Sequence, residues 1–136
     1  MYREDLPPAP LVITCFNIHV IALSAIDGSV VWQVSPNAER IVVDGQQVYG
    51  VTIGGMVVVY DYLTGAERWR VETGLSASGS ASLLLTRDVL YLSMGGEMAA
   101  LSKQGKLLWV NKLPGTGYGN ADIALPGAVV HGDRRG

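Results

Sequence analysis

The chain has 136 residues, which is enough for one domain with a hydrophobic core and too few for two domains of ordinary size. Hydrophobic residues make up 49% of the chain and charged residues 16%, so much of it is expected to be buried. The formal net charge of −2, with no run of lysine or arginine, argues against nucleic acid or an anionic membrane surface as a partner.

Residues 1–10 are predicted to form an N-terminal arm. They contain acidic residues and prolines where a secretory signal would place a basic end and an apolar run, so no export signal is expected. The apolar stretches of the chain are much shorter than the roughly 20 residues that cross a bilayer. A soluble protein is therefore expected, in the cytoplasm or, if the source is viral, in a virion. The single cysteine, Cys15, is expected to be a buried and unreactive thiol.

The first β-rich unit covers about residues 11–36 and is predicted to contain three strands. They are Leu11–Phe16, His19–Leu23 and Ser29–Val34. An Asp-Gly dipeptide separates the last two, as is typical of a tight turn. Compared with the units that follow, this one lacks its first strand.

The second unit covers about residues 40–74 and predicts a four-stranded antiparallel meander. Its strands are Arg40–Val43, Gln47–Ile53, Met56–Tyr60 and Ala66–Glu72, joined by Asp-Gly, Gly-Gly and Thr-Gly turns. The inner strands are apolar without alternation, which indicates sheets that are covered on both faces. The last strand carries several charges, which is typical of an outer edge.

The third unit covers about residues 82–114 and repeats this order. Its strands are predicted at Ser82–Thr86, Val89–Met94, Glu97–Leu101 and Lys106–Asn111. The glycine-rich segment Gly115–Asn120 leads into another strand rather than a helix, so it is interpreted as a linker and not as a phosphate-binding loop.

One glycine and one tryptophan recur at the same place in every unit. A glycine stands four residues before each tryptophan, and the markers lie 37 and then 40 residues apart. The pairs are Gly28 and Trp32, Gly65 and Trp69, and Gly105 and Trp109. A period near 40 residues with strand signals and no helical period predicts propeller blades.

The middle unit resembles the repeat of the pyrroloquinoline-quinone (PQQ)-like propeller family. It has an apolar-Tyr strand at Val48-Tyr49, a Gly-Gly turn, the run Val58-Val-Tyr-Asp-Tyr-Leu-Thr-Gly65, and then Trp69. The resemblance covers about residues 11–131 and implies an all-β chain, a partial β-propeller of about three four-stranded antiparallel blades. It also implies that the recurrent tryptophans and glycines dock adjacent blades on one another.

Three blades are fewer than the 4 to 8 of closed propellers, so completion by oligomerisation is expected. Residues 121–131 are predicted to be closing strands, with Ala121–Leu125 as a first strand and Ala128–His131 as the start of a second; 132–136 are a tail. The preferred arrangement is a homodimer of six blades in which the C-terminal strand of one copy completes the first unit of the next. The expected interface residues are Ala121, Ile123, Leu125, Leu11 and Ile13. An open arc capped by other proteins is the alternative.

Candidate catalytic chemistry is weak. The PQQ-like family that this chain resembles includes PQQ-dependent dehydrogenases, which use a quinone and calcium, and many of them have a pair of adjacent cysteines. No residues of this sequence align with the metal ligands or the cysteine pair. No cofactor is therefore expected. His19 and His131 have no second ligand at a metal-binding spacing. No nucleophile with a general base can be argued, so no catalytic, cofactor-binding or metal-binding residue is predicted.

These observations favour a non-catalytic structural or protein-interaction module that self-assembles or docks in a larger assembly, such as a phage or viral particle. Two other hypotheses stay open. One is a ligand-binding or sensory propeller for a sugar, peptide or nucleotide. The other is a relic of a PQQ-dependent dehydrogenase.

Overall fold

The computed structural model describes residues 10–75, 80–117, 121–126 and 130–132. In these ranges the chain forms strands and no helix. The strands are β1 (Leu11–Phe16), β2 (His19–Ser24), β3 (Val30–Val34), β4 (Ala38–Val43), β5 (Gln47–Thr52), β6 (Met56–Asp61), β7 (Glu67–Glu72), β8 (Ala81–Leu85), β9 (Val89–Met94), β10 (Glu97–Ser102), β11 (Leu107–Asn111) and β12 (Val130–Gly132).

The strands form three antiparallel sheets in chain order, which we call blades 1, 2 and 3. Blade 1 is β1-β2-β3, blade 2 is β4-β5-β6-β7, and blade 3 is β8-β9-β10-β11 with β12 added beside β8. Within β1–β3, β4–β7 and β8–β11, each strand pairs with the next through a short turn. The all-β partial propeller predicted from the sequence is therefore confirmed, and blade 1 has three strands within the described residues.

Two hydrophobic cores lie between the blades. Blades 1 and 2 enclose one core, which includes Val20, Trp32 and Val58. Blades 2 and 3 enclose the other, which includes Val57, Val59 and a set of leucines from blade 3. Strand β6 therefore sends alternate side chains into different cores. This explains why its sequence is apolar without alternation.

The first strands of the blades lie nearest one another and the last strands lie outermost. Strand β4 contacts both β1 and β8, as expected around a central axis. The outer strand β7 carries Glu67, Arg68, Arg70 and Glu72, all of them exposed. Charge on the outer strand protects an edge that would otherwise offer an unpaired ladder to other chains.

A β-bulge recurs in the outer hairpin of every blade. It follows Ala22 in blade 1, Val59 in blade 2 and Ala100 in blade 3. In each case the residue just before the bulge is the cross-strand partner of the recurrent tryptophan, respectively Trp32, Trp69 and Trp109. Because a bulge bends and twists its strand, it affects the direction in which the tryptophan side chain projects from the sheet.

The C-terminal residues differ from the prediction of two closing strands. Residues 121–125 form no strand and instead run beside blade 3, whereas β12 pairs antiparallel with β8 through His131 and Leu84. The reason is that a strand needs a free sheet edge: β8 offers one inside the same molecule, and residues 121–125 lie over a sheet face. The N-terminal arm and the tail lie outside the described residues, apart from Pro10 and Gly132.

Candidate functional site

The joint between blades 1 and 2 is built on Trp32 and Gly65. Trp32, in β3, is buried, with 8% of its surface exposed. Its ring atoms lie 2.7 Å from the point where a Cβ on Gly65 would stand, and its Nε1 donates a hydrogen bond of 2.9 Å to the Tyr62 carbonyl. The φ of Gly65 is +78°, so glycine is required both for the backbone and for the space that the ring fills.

The joint between blades 2 and 3 has the same construction. The ring of Trp69 lies 2.8 Å from the point where a Cβ on Gly105 would stand, and φ of Gly105 is +95°. Trp69 Nε1 donates a hydrogen bond to the Lys103 carbonyl at 3.1 Å. Each joint therefore consists of a tryptophan from one blade, and a positive-φ glycine with a nearby carbonyl from the next.

The two open ends each keep half of such a joint. The resemblance implies that all three tryptophans dock adjacent blades and are therefore buried, and this burial is not found for Trp109, which is 45% exposed on the free face of blade 3. Gly28, in the turn of blade 1, has φ +77° and no atom within 4 Å of the point where a Cβ would stand. Burial of a tryptophan here depends on a glycine in the next blade, and the described residues place no blade after the one that carries Trp109.

The segment 121–125 covers part of the free face of blade 3. Ile123, Ala124 and Leu125 bound a cavity of about 160 Å³ together with four side chains of that face. Those four are Leu84, Tyr91, Met98 and Trp109. The hydroxyl of Ser82 donates to the Ala121 carbonyl, which fastens the start of the segment to β8. Of the predicted interface residues, Ala121 and Ile123 are partly buried here and Leu125 is exposed.

The other predicted interface residues, Leu11 and Ile13, lie in β1 and are partly buried. Among the described strands β1 pairs with β2 only, so its other edge is open. The Tyr62 hydroxyl accepts from Leu11 N at 2.7 Å and donates to Leu11 O at 3.0 Å. Since backbone groups alternate in direction along a strand, those of Ile13 and Cys15 point to the same open edge.

A polar cavity of about 590 Å³ lies at the joint of blades 2 and 3, on the side of the Asp-Gly and Gln-Gly turns. Its lining includes Asp44, Gln46, Gln47, Tyr49, Arg68, Trp69, Arg87, Lys103 and Gln104. Tyr49 donates to Asp44 at 2.9 Å and accepts from Gln47 at 2.7 Å, while Lys103 pairs with Asp44 at 3.0 Å. The sequence did not predict this network, because its members are up to 59 residues apart.

Ionisation in the network is set by burial and hydrogen bonding. Burial disfavours the charged form of Asp44, but hydrogen bonds from Gln47, Lys103, Gln46 and Tyr49 outweigh it and hold the pKa of Asp44 below its usual value. Burial is also the largest cause of the raised pKa of Tyr49, and the Asp44 charge raises it further. The pair is thus a carboxylate held by a neutral phenol at neutral pH.

The remaining titratable candidates have structural surroundings. His19 lies with its Nδ1 3.0 Å from the Ser35 hydroxyl oxygen on the surface. Cys15 packs against the core of blades 1 and 2, and burial raises the pKa of its thiol. The side chain of His131 and part of the Gly115–Asn120 linker lie outside the described residues. In the described ranges no group of three His, Cys, Asp or Glu side chains could hold a metal.

Residues 12–133 match the family described as outer membrane protein assembly factor BamB, a family of PQQ-type repeats. The chain belongs to the PQQ-like β-propeller repeat family. A comparison with curated protein sequences gives no match. No helix in the described residues is both long and apolar enough to cross a membrane.

Solved structures of PQQ-like propellers share the fold. BamB from Moraxella catarrhalis is 17% identical with a TM-score of 0.66, over 92% of this chain and 45% of that one. AztD from Citrobacter koseri is 14% identical with a TM-score of 0.64, over 98% and 41%. The quinohemoprotein alcohol dehydrogenase ADHIIG from Pseudomonas putida HK5 is 19% identical with a TM-score of 0.62, over 76% and 19%. The chain thus spans less than half the length of each of these proteins.

The quinone and calcium of PQQ-dependent dehydrogenases do not fit the residues of this chain. The chain has one cysteine, so it lacks the pair of adjacent cysteines that many of these enzymes place beside the quinone. The acid on the wall of the polar cavity is also engaged, since Asp44 pairs with Lys103.

Proposed function

We propose that the chain is a non-catalytic protein-interaction module that assembles through its two open ends. The observation that carries the proposal is the fit between those ends. Residues 121–125 lie on the free face of blade 3, and blade 1 has three strands within the described ranges where blades 2 and 3 have a further inner strand. A segment that lies over a sheet face thus stands at one end, and β1, which pairs only with β2 among the described strands, stands at the other.

The position of the segment in the repeat supports this role. Ala38 opens β4 and Ala81 opens β8, 43 residues later; Ala121 follows after a further 40 residues. Residues 121–125 therefore occupy the place of the first strand of a further blade. In a second copy, the open edge of β1 offers the backbone groups of Ile13 and Cys15 to such a strand.

Two copies joined in this way at both ends would form a ring of six blades. Six lies within the 4 to 8 blades of closed propellers, whereas a third copy would give nine. The ring also covers the apolar side chains that the free faces expose, and uncovered patches of this kind on soluble proteins usually mark interfaces. We therefore propose a homodimer, with other proteins as further partners of the ring.

Light scattering of the full chain at micromolar concentration tests the proposal. We expect a mass of about twice the 14.5 kDa of one chain. Deleting residues 121–136 should abolish or weaken the assembly, while circular dichroism still reports folded β-structure. If the shortened chain assembles as the full chain does, residues 121–125 do not join the copies. A monomeric full chain would contradict self-assembly altogether.

A second candidate function, binding of a small acidic ligand, is favoured by the polar cavity. Its volume of about 590 Å³ lies in the range of ligand pockets, and Arg68, Arg87 and Lys103 outnumber Asp44 on its wall. Trp69 adds an aromatic surface. Isothermal titration with a nucleotide, a sugar acid and an acidic peptide tests it, with Arg87→Gln as the variant. Equal binding by the variant, or no binding of any probe, would contradict this function.

A further inference from the structure

The blade joint is a directional pair of complementary halves. The tryptophan half comes from the last strand of one blade. The glycine half comes from the turn before the last strand of the next blade, where a positive-φ glycine leaves room for the ring and a backbone carbonyl accepts from the indole. Both halves are seen together twice, at Trp32 on Gly65 and at Trp69 on Gly105.

The glycine half of blade 1 has the same hydrogen-bonded form as the engaged one of blade 2. Gly28 N donates to Ser24 O at 2.8 Å, as Gly65 N donates to Asp61 O at 2.9 Å. Ser24 N donates to Ser29 O at 2.8 Å, as Asp61 N donates to Ala66 O at 2.8 Å. The turn is therefore already shaped for a tryptophan, with φ of +77° at Gly28 against +78° at Gly65.

The alignment of these turns identifies the expected hydrogen-bond acceptor. Tyr62 follows Asp61 in blade 2 and Lys103 follows Ser102 in blade 3, and their carbonyls accept from Trp32 and Trp69. In blade 1 the residue after Ser24 is Ala25. Its carbonyl thus stands where an indole Nε1 would donate.

The faces around the two unused halves are apolar. On blade 1, Val12 and Phe16 are about half exposed, because Leu11, Ile13 and Cys15 take the opposite face of β1 towards blade 2. On blade 3, Leu84, Tyr91 and Met98 surround Trp109. At the joints within the chain, Trp32 lies in the core of blades 1 and 2, and Trp69 packs against the core of blades 2 and 3.

We propose that Trp109 of one copy docks on Gly28 of a second copy, with its Nε1 donating to the Ala25 carbonyl. This inference rests on the proposed self-assembly and names the contact that directs it. The occupant is a second copy because one chain carries both halves, each in the form seen at its own joints. The contact is heterologous, and two copies close it into a ring in which it occurs twice.

Two substitutions remove one half each, and each has a matched control. Trp109→Ala removes the ring, and Ile53→Ala removes a similarly exposed apolar side chain in the turn between β5 and β6 of blade 2, away from both ends. Gly28→Asn fills the space for the ring with a residue that tolerates positive φ. Gly45→Asn makes the same change at φ +87°, also with no atom within 4 Å, away from both ends.

Sedimentation equilibrium of the four variants measures the dimer dissociation constant. We expect each joint variant to weaken the dimer by about 30-fold or more, the loss typical of an interface hot spot. The controls should stay within about threefold of the unaltered chain. Thermal melting at high dilution establishes that all four variants are folded.

Mixing the two joint variants gives the sharper result. A Gly28→Asn chain still has Trp109, and a Trp109→Ala chain still has Gly28, so a mixed dimer regains one intact joint. We expect the equimolar mixture to associate more tightly than either variant alone.

Three results would overturn the inference. Dimers of normal strength in both joint variants would mean that self-assembly uses another contact, and the proposed function would survive. A mixture no tighter than its parts would also exclude the Trp109 and Gly28 joint. A full chain that is monomeric, or that joins only a different protein, would overturn the joint together with the homodimer.

Discussion

The indole ring of Trp32 occupies the space that the side chain of any residue other than glycine would take at position 65. The two residues belong to different blades and are 33 positions apart. The contact therefore couples the identity of one residue in a turn to the docking of two sheets.

Gly65→Ala should destabilise the chain by about 2 to 4 kcal/mol, because the new Cβ meets the Trp32 ring and the backbone keeps a left-handed φ. Urea denaturation measures the change. Gly45→Ala is the control, since it has a similar φ but nothing within 4 Å, and should cost about 1 to 2 kcal/mol. Equal losses in the two variants would mean that the ring moves aside freely.

Trp69→Ala should lower the free energy of unfolding by about 3 kcal/mol, since its ring packs on Gly105 and against the core of blades 2 and 3. Trp109→Ala should cost less than about 1 kcal/mol under conditions in which the chain is monomeric, because its ring lies on a free face. Denaturation at high dilution compares them. A larger loss for Trp109 would contradict the difference in burial.

Asp44→Asn should destabilise the chain at pH 7 by about 1 kcal/mol, because it removes the carboxylate that holds Lys103 and Tyr49. The folded pKa of Asp44 is lowered, so its contribution is present above the unfolded pKa of about 3.9 and is lost as pH falls through the folded value. Stability curves of the two proteins should thus converge as pH falls from the unfolded pKa of Asp44 through its lower folded pKa. A constant difference across this range would exclude the ionic contribution.

Tyr62→Phe should loosen β1, because the hydroxyl binds both the N–H and the carbonyl of Leu11. We expect a loss of about 1 kcal/mol and faster hydrogen exchange in β1 than in β9. Tyr60→Phe is the control, since Tyr60 is buried in the same core and Phe keeps the ring. Unchanged exchange in β1 would show that the hydroxyl does not hold this edge.

The blades could be predicted from the sequence because the same turn residues recur in each unit and mark the ends of its strands. The strand Ala66–Glu72 was predicted within one residue of the observed Glu67–Glu72, since a Thr-Gly turn and a tryptophan bracket it. The exposure of Trp109 was missed, because burial depends on the sheet that follows and not on the strand that bears it. The network of Asp44, Tyr49 and Lys103 was also missed, because it joins turns of two blades and no local sequence pattern predicts such a contact.

Strand β6 feeds one core with Val57 and Val59 and the other with Val58 and Tyr60. Blade 2 is therefore shared by both cores, and neither core can form without it. Blade 1 can unfold without opening the core between blades 2 and 3. Unfolding is therefore expected to start at blade 1 and to proceed blade by blade, as in repeat proteins. Amides of β1 to β3 should then exchange ahead of those of β5, β6 and β9, and joining the ends into a ring would abolish the starting point.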